Sequence, residues 1–205
     1  MRFRGGQFVS LRTGAGYHPR RSYSIASSPS DTAGFSLLVK TVSASAAGFF
    51  GTLEAGDEVH YNGPMGFFTL ADQHPGDIVM AATGVGISAV LSQIYELLAR
   101  PDDNRVHLYW GLNHVRERFA IDELDALAAD PRFSYEIWLA DADPAWAGPV
   151  GFITDPVVAS ADTLTLPTYY LCGNGAMVAD VRIGLDERGI PADRVRTEVF
   201  YPRLG

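Results

Sequence analysis

Arg21, Tyr23 and Ser24 near the start, Thr83, Gly84 and Gly86 in the middle, and Cys172, Asn174 and Glu198 near the end are the residues whose types and settings suit chemistry. The run Met80-Ala81-Ala82-Thr83-Gly84-Val85-Gly86-Ile87-Ser88 reads as a strand end, a glycine turn and a helix start. A helix start leaves backbone N–H groups unpaired and carries about half a positive charge, and glycine lets an anion approach the backbone closely. Such a turn therefore suits a phosphate, although glycines between strand and helix also serve packing alone. Arg21 offers a planar fork of donors that matches a pyrophosphate. The bland alternative for Arg21 to Ile25 is an ordinary strand with Ser22 and Ser24 on one face and Tyr23 on the other. Cys172 ends an apolar run before Gly173, and a lone cysteine is ordinarily a small core residue.

These residues need two kinds of scaffold. Short apolar and β-branched runs at 7–11, 22–26, 35–41, 58–61 and 66–70, separated by Gly, Pro, Ser and Asp, predict a small antiparallel barrel, with one helical turn within 46–53. The stretch 73–77 marks a boundary. From Ile78 the rhythm alternates, with strands from the apolar Ile78-Val79-Met80 before the glycine turn, at 106–110, 133–139, 169–171 and 195–200, and helices from Val90 to Leu98, over 121–129 and over 176–188. Alternation of this kind builds a parallel sheet covered by helices. In the last helix Met177, Val178, Val181 and Leu185 form the apolar face, with Asp180, Arg182, Asp186 and Arg188 toward water. The fold class is thus an antiparallel barrel over 1–72 followed by a five-stranded parallel-sheet α/β domain over 77–205.

The chain of 205 residues has a net charge of −8, unevenly spread. Residues 1–72 hold six Arg and Lys against five Asp and Glu, and residues 73–205 hold ten against nineteen. That balance argues against nucleic acid or an anionic membrane as partner. The early arginines Arg2, Arg4, Arg12, Arg20 and Arg21 remain available to a local phosphate or an acidic protein. No apolar run approaches the length of a membrane span, and the opening residues lack a signal-peptide core, so a cytoplasmic location is expected. One cysteine leaves no intrachain disulfide, no thiolate metal site and no cysteine-held iron–sulfur cluster, and no metal is expected.

The motif order adds specificity. Phe3-Arg4-Gly5-Gly6-Gln7-Phe8-Val9, Arg21-Ser22-Tyr23-Ser24, Gly63-Pro64-Met65-Gly66-Phe67-Phe68, the glycine turn, Trp110-Gly111, Cys172-Gly173-Asn174-Gly175-Ala176-Met177 and Glu198-Val199-Phe200 follow one another along nearly the whole chain. This series resembles the ferredoxin-NADP reductase family of flavoproteins, in which a barrel binds FAD and an α/β domain binds NADH or NADPH. The resemblance implies that Arg21, Ser22, Tyr23 and Ser24 hold FAD, with Ser24 bonded to a flavin ring nitrogen. It places Thr83, Gly84, Gly86, Ser88, Gly111, Cys172, Gly173, Asn174 and Met177 around the nicotinamide nucleotide. Cys172 would stand beside the hydride-bearing carbon, Glu198 at the flavin edge for proton traffic, and Phe200 or Tyr201 over a flavin or adenine ring. Ser24, Cys172 and Glu198 are the implied catalytic set, although a glutamate between Thr197 and Val199 is elsewhere ordinary solvated surface. Asn113 and Asp141 stand where NADPH-using relatives carry arginine, which favours NADH, although Arg116 and Arg118 lie near. The stretch 143–151 is similar to oxygenase reductases, many of which take NADH.

Three departures shape the functional expectation. Ala89 stands where many relatives carry proline. Relatives carry an opening barrel strand before the position of Met1, without which the barrel exposes edges open to a partner strand. The Gly-x-x-Ser element over the flavin pyrophosphate is replaced by Ser43-Ala44-Ser45-Ala46-Ala47, a lost cap worth about 1 kcal/mol. The expected function is an FAD-dependent NAD(P)H reductase passing electrons to a separate ferredoxin, flavodoxin or oxygenase component. The alternatives are a non-catalytic electron-transfer subunit with weak flavin binding, and a reductase that releases free flavin.

Overall fold

The computed structural model describes residues 1–12, 20–41, 44–141 and 144–200. The elements in chain order are β1 (Phe8–Leu11), β2 (Arg21–Ser24), α1 (Ala44–Phe50), β3 (Tyr61–Met65), β4 (Ile78–Thr83), α2 (Ile87–Leu98) and β5 (Val106–Leu112). Then follow α3 (Ile121–Leu127), β6 (Phe133–Leu139), α4 (Thr154–Ala159), β7 (Thr168–Gly173), α5 (Gly175–Glu187) and β8 (Val195–Val199). The strands form an antiparallel sheet of order β2-β1-β3 and a parallel sheet of order β6-β5-β4-β7-β8.

β4 lies at the centre of the parallel sheet because Ile78, Val79, Met80, Ala81 and Ala82 tolerate burial on both faces, and each is wholly inaccessible. Two apolar layers cover it. Leu91, Ile94 and Leu97 of α2 pack with Met80, Leu108, Trp110 and Tyr170 on one face. Met177, Val178, Val181 and Leu185 of α5 pack with Val79, Ala81, Tyr169 and Leu171 on the other, which is the face the periodicity assigned to that helix. A smaller cluster of Phe3, Val9, Leu11 and Ile25 fills the antiparallel unit. Among the described residues no helix is long and apolar enough to cross a membrane.

The antiparallel unit departs from the sequence reading. Residues 35–41 contribute one bridge, Leu37 to Ile25, rather than a strand. The expected strands at 58–61 and 66–70 are replaced by β3, which runs through the turn-like Asn62-Gly63-Pro64 between them. Among the described residues β3 is an edge strand paired with β1, the setting in which a sheet tolerates proline, and an irregularity lies between Phe8 and Ser10. α4 has no counterpart among the elements the sequence predicts.

Candidate functional site

The strand order reverses between β4 and β7, and the crevice outside their carboxyl ends is where open α/β sheets take ligands. At that crevice Thr83 and Cys172-Gly173-Asn174 meet. The backbone N–H of Asn174 donates to Thr83 Oγ1 at 2.7 Å, and Asn174 Oδ1 accepts from the Ala176 N–H at 2.8 Å, capping α5. Gly173 adopts φ 131, and a side chain there would run into the Thr83 hydroxyl. The chain returns at its other end, since the Phe200 N–H donates to Gly173 O at 2.8 Å.

The two glycines of the central turn play different parts. Gly84, at φ 54, has no atom within 4 Å of where a Cβ would stand, so its outer side is open to a ligand. Its carbonyl is pinned from within by the Trp110 indole N–H at 3.0 Å. A Cβ on Gly86 would stand 2.6 Å from Cys172 O, so Gly86 is required by the contact between turn and β7. Ser88 is buried, and its hydroxyl donates to Val85 O at 2.7 Å. Met177 packs in the core on the α5 side of the sheet, and Gly111, next to last in β5, lies against the Thr83 and Ile153 side chains. Neither Ser88 nor Met177 reaches the open side of the crevice.

Ser24, Cys172 and Glu198, distant in sequence, come together. Cys172 and Glu198 are register partners on β7 and β8, and the Ser24 hydroxyl of β2 donates to Glu198 Oε1 at 3.5 Å. Burial raises the Glu198 carboxyl from 4.5 to about 7, with the Ser24 hydrogen bond pulling the other way. Burial, and then the nearby Glu198 charge, push the Cys172 thiol well above its ordinary value. The thiol is therefore a neutral, space-filling group, and Glu198 exchanges a proton near neutral pH. On β2, Arg21 and Tyr23 share the face opposite to Ser22 and Ser24 by strand alternation, and Tyr23 meets Phe50 of α1 edge-on with ring centroids 5.3 Å apart. Phe200 packs against the core on the α2 side of the parallel sheet. Tyr201, Ser43 and Asp143 lie outside the described residues.

Beyond the ends of β5 and β6, the Asp141 carboxylate pairs with His114 Nδ1 at 3.4 Å. Glu117 accepts from the Asn113 N–H at 3.0 Å and from Lys40 at 3.3 Å. The Arg118 guanidinium sits 5.2 Å over the Trp146 ring. Of the residues that build this region, the Trp110 anchor of the turn is legible only as part of Trp110-Gly111. The buried Tyr170 hydroxyl, which accepts from Ala71 N–H at 2.9 Å and meets His74 Nε2 at 2.8 Å, left no sequence signal beyond an apolar strand.

The arrangement fits a nicotinamide nucleotide and a flavin: an open glycine turn at the switch point, a capped helix start beside it, and a serine and a near-neutral carboxylate on the neighbouring sheet edges. Comparison with known proteins agrees. Residues 1–70 match the oxidoreductase FAD-binding domain and residues 80–182 the oxidoreductase NAD-binding domain. The chain is 36% identical over 184 residues to the reductase component of phenol 2-monooxygenase from Pseudomonas sp. strain CF600, covering 87% of this chain and 52% of that protein. It is 31% identical to ferredoxin–NADP reductase B of Sorangium cellulosum, covering 97% of this chain and 85% of that one. The structure of the Amycolatopsis cytochrome P450 reductase GcoB superposes with a TM-score of 0.84 at 28% identity, covering 98% of this chain and 62% of that chain. The chain thus spans a little over half the length of the phenol 2-monooxygenase relative. With both modules matched in order and a relative aligned over nearly its full length, the chain belongs to the ferredoxin-NADP reductase family of FAD- and NAD-binding oxidoreductases.

Proposed function

We propose that this chain is an FAD-dependent NAD(P)H reductase that delivers electrons to a separate carrier, a ferredoxin, a flavodoxin or an oxygenase component. The observation that carries this reading is the meeting of Ser24, Cys172 and Glu198, which brings the Arg21–Ser24 strand to the crevice at the ends of β4 and β7. FAD, when bound, supplies the hydride-accepting and single-electron chemistry, and the chain supplies position and proton control. Residues 1–72 form the flavin unit and residues 77–205 the nicotinamide unit. Arg21 takes the pyrophosphate, Ser22 and Tyr23 flank the flavin's side chain, and Ser24 bonds its ring. Thr83, Gly84, Gly86, Gly111, Gly173 and Asn174 shape the nicotinamide crevice, with Ser88 and Met177 supporting it from beneath. Cys172 fills the space beside the ring, Phe200 borders it, and Glu198 holds or releases a proton at Oε1.

NADH is the favoured donor. Asn113 and Asp141 stand where a 2′-phosphate would need cations, the Asp141 carboxylate faces His114, and Arg118 is held over Trp146. We place the reaction in the cytoplasm, where reduced nicotinamide is maintained.

The test is an anaerobic titration of the FAD-loaded protein, first with NADH and then with NADPH. Bleaching of the visible flavin band by NADH at lower concentration than NADPH supports the reading. Tight flavin binding with no bleaching by either nucleotide overturns it, and loss of reduced flavin through a filter during turnover moves the assignment to a free-flavin reductase.

A further inference from the structure

α2 begins at the open glycine turn, and where it meets the antiparallel unit a row of polar contacts runs beside the apolar one made by Phe68 and Leu70. Ser92 Oγ donates to Ser27 O at 2.9 Å, and Gln93 Nε2 donates to Phe68 O at 2.6 Å. Glu96 Oε2 accepts from the Gly5 N–H at 2.7 Å. Arg100, held by Glu96 Oε1 at 2.8 Å, donates to Ala71 O at 2.8 Å. Ser92, Gln93 and Glu96 lie on neighbouring positions of α2, and Arg100 follows just past its end, so one side of the helix and the residue beyond its cap grip the backbone of the flavin unit at four places.

The Gly5-Gly6 pair completes this seam. A Cβ on Gly5 would stand 2.8 Å from Gln93 Cα and 2.8 Å from Ser92 O, so backbone lies directly on backbone. A Cβ on Gly6 would run into Phe68 O and crowd Gln93 Nε2, 2.6 Å away.

Gln93 stands out within the seam. It is wholly inaccessible, and its Oε1 has no hydrogen-bond partner among the described residues. A buried amide satisfied at only one end contributes little net stability, because the orphaned oxygen offsets the bond made by the nitrogen. Its bond to Phe68 O does something else: it fixes where the flavin unit sits along α2. From Gly86 to Gln93 the helix rises about 10 Å, and a packed helix transmits a shift at one end to the other.

We infer that Gln93 is a positioning residue that, with the Ser92 and Glu96 contacts, sets the distance between the flavin unit and the nicotinamide turn at the start of α2. The inference rests on the flavin–nicotinamide reading above. Hydride transfer is steep in distance, and a misplacement of about 1 Å costs up to about a hundredfold in rate.

The test compares the unaltered protein with Gln93→Met, which keeps the length and volume of the side chain. Methionine removes the orphaned Oε1 while leaving Phe68 O without its donor, so one unsatisfied acceptor replaces another and the thermal midpoint stays near that of the unaltered protein. Amide hydrogen exchange over residues 68–71, read in the protein without nucleotide, speeds up. The rate of flavin reduction at saturating NADH falls about tenfold to a hundredfold, the flavin–nicotinamide charge-transfer absorbance weakens, and FAD content and the Kd for NADH stay as they were. An unchanged reduction rate in folded, FAD-loaded Gln93→Met overturns the inference, as does a rate loss that follows loss of FAD or of thermal stability. Should Gln93→Met fail to fold, Ser92→Ala carries the same kinetic and binding readouts, with hydrogen exchange read around Ser27 in place of residues 68–71 and the same outcomes supporting or overturning the inference. Absence of flavin reduction in the unaltered protein overturns the reductase reading itself, and the positioning role with it.

Discussion

Glu198→Gln is the most informative substitution for the electrostatics of the crevice, because glutamine keeps the shape and the acceptor for the Ser24 hydroxyl but cannot ionise. Burial holds the carboxyl near 7 in the folded chain against 4.5 when free. A group whose folded pKa is raised binds its proton more tightly in the folded state, so its contribution to stability is complete below pH 4.5 and is lost as pH rises through 7. At pH 5.5 the unfolded chain gains about 1 kcal/mol from ionising this group and the folded chain almost nothing. At pH 8.5 the difference in favour of the unfolded chain is about 3 kcal/mol. Glu198→Gln is therefore more stable than the unaltered protein by an amount that widens by about 2 kcal/mol between those pH values. Solvent reaching the exposed edge of the carboxyl makes that figure a ceiling. Urea unfolding at pH 5.5, 7.0 and 8.5 measures the gap. A gap that stays constant or narrows as pH rises refutes the claim that Glu198 is held protonated by burial.

Two further substitutions separate packing from ligand approach in the central turn. Gly86→Ala forces a methyl onto the Cys172 carbonyl, backbone that has no room to yield, and lowers stability by about 3 kcal/mol or more in thermal or urea unfolding. Gly84→Ala meets no atom and costs only about 1–2 kcal/mol for its positive φ, yet it weakens NADH binding in a fluorescence titration because its methyl occupies the open side of the turn. Asp141→Arg replaces the carboxylate beside His114 with a phosphate-matching fork and raises the NADPH to NADH ratio of kcat/KM by about tenfold to a hundredfold in steady-state assays.

The parallel sheet was legible because its signals are local and agree with one another. β4 is apolar from Ile78 to Ala82, the glycine turn follows it, and α2 and α5 carry apolar faces at helical spacing, so the strands of this sheet and these two helices are read in the right order with ends shifted by up to three residues. The antiparallel unit was less legible because its pairing is non-local. Asn62, Gly63 and Pro64 are turn residues by every local rule, and only pairing with β1 makes them a strand. Gly66–Leu70 looks like a strand, but the Phe68 carbonyl is instead taken by Gln93 across the seam. α4 has six residues and two apolar contacts, Val157 and Val158, too little periodicity to read.

At the crevice, which residues come together is more legible in the sequence than what each of them contacts. The triplet Ser24, Cys172 and Glu198 was assembled from three separate strands, and no spacing within the sequence encodes the distance among them; only the motif order implied it. Gly84 and Gly86 look equivalent as written, since both loosen a strand-to-helix turn. The structure assigns them to opposite sides of that turn, Gly84 facing open space and Gly86 facing β7. Polar residues on α2 mislead in the reverse sense. Ser92, Gln93 and Glu96 sit where a helical wheel puts a solvated face, yet that face meets backbone N–H and C=O groups of the flavin unit, which only polar side chains can satisfy. A surface made of exposed main chain thus selects a polar partner, and a binary apolar pattern has no means of distinguishing it from water. The same helix therefore presents apolar residues to the sheet and polar residues to the flavin unit, and it follows directly on the turn whose Gly84 faces open space, which couples the positions of all three.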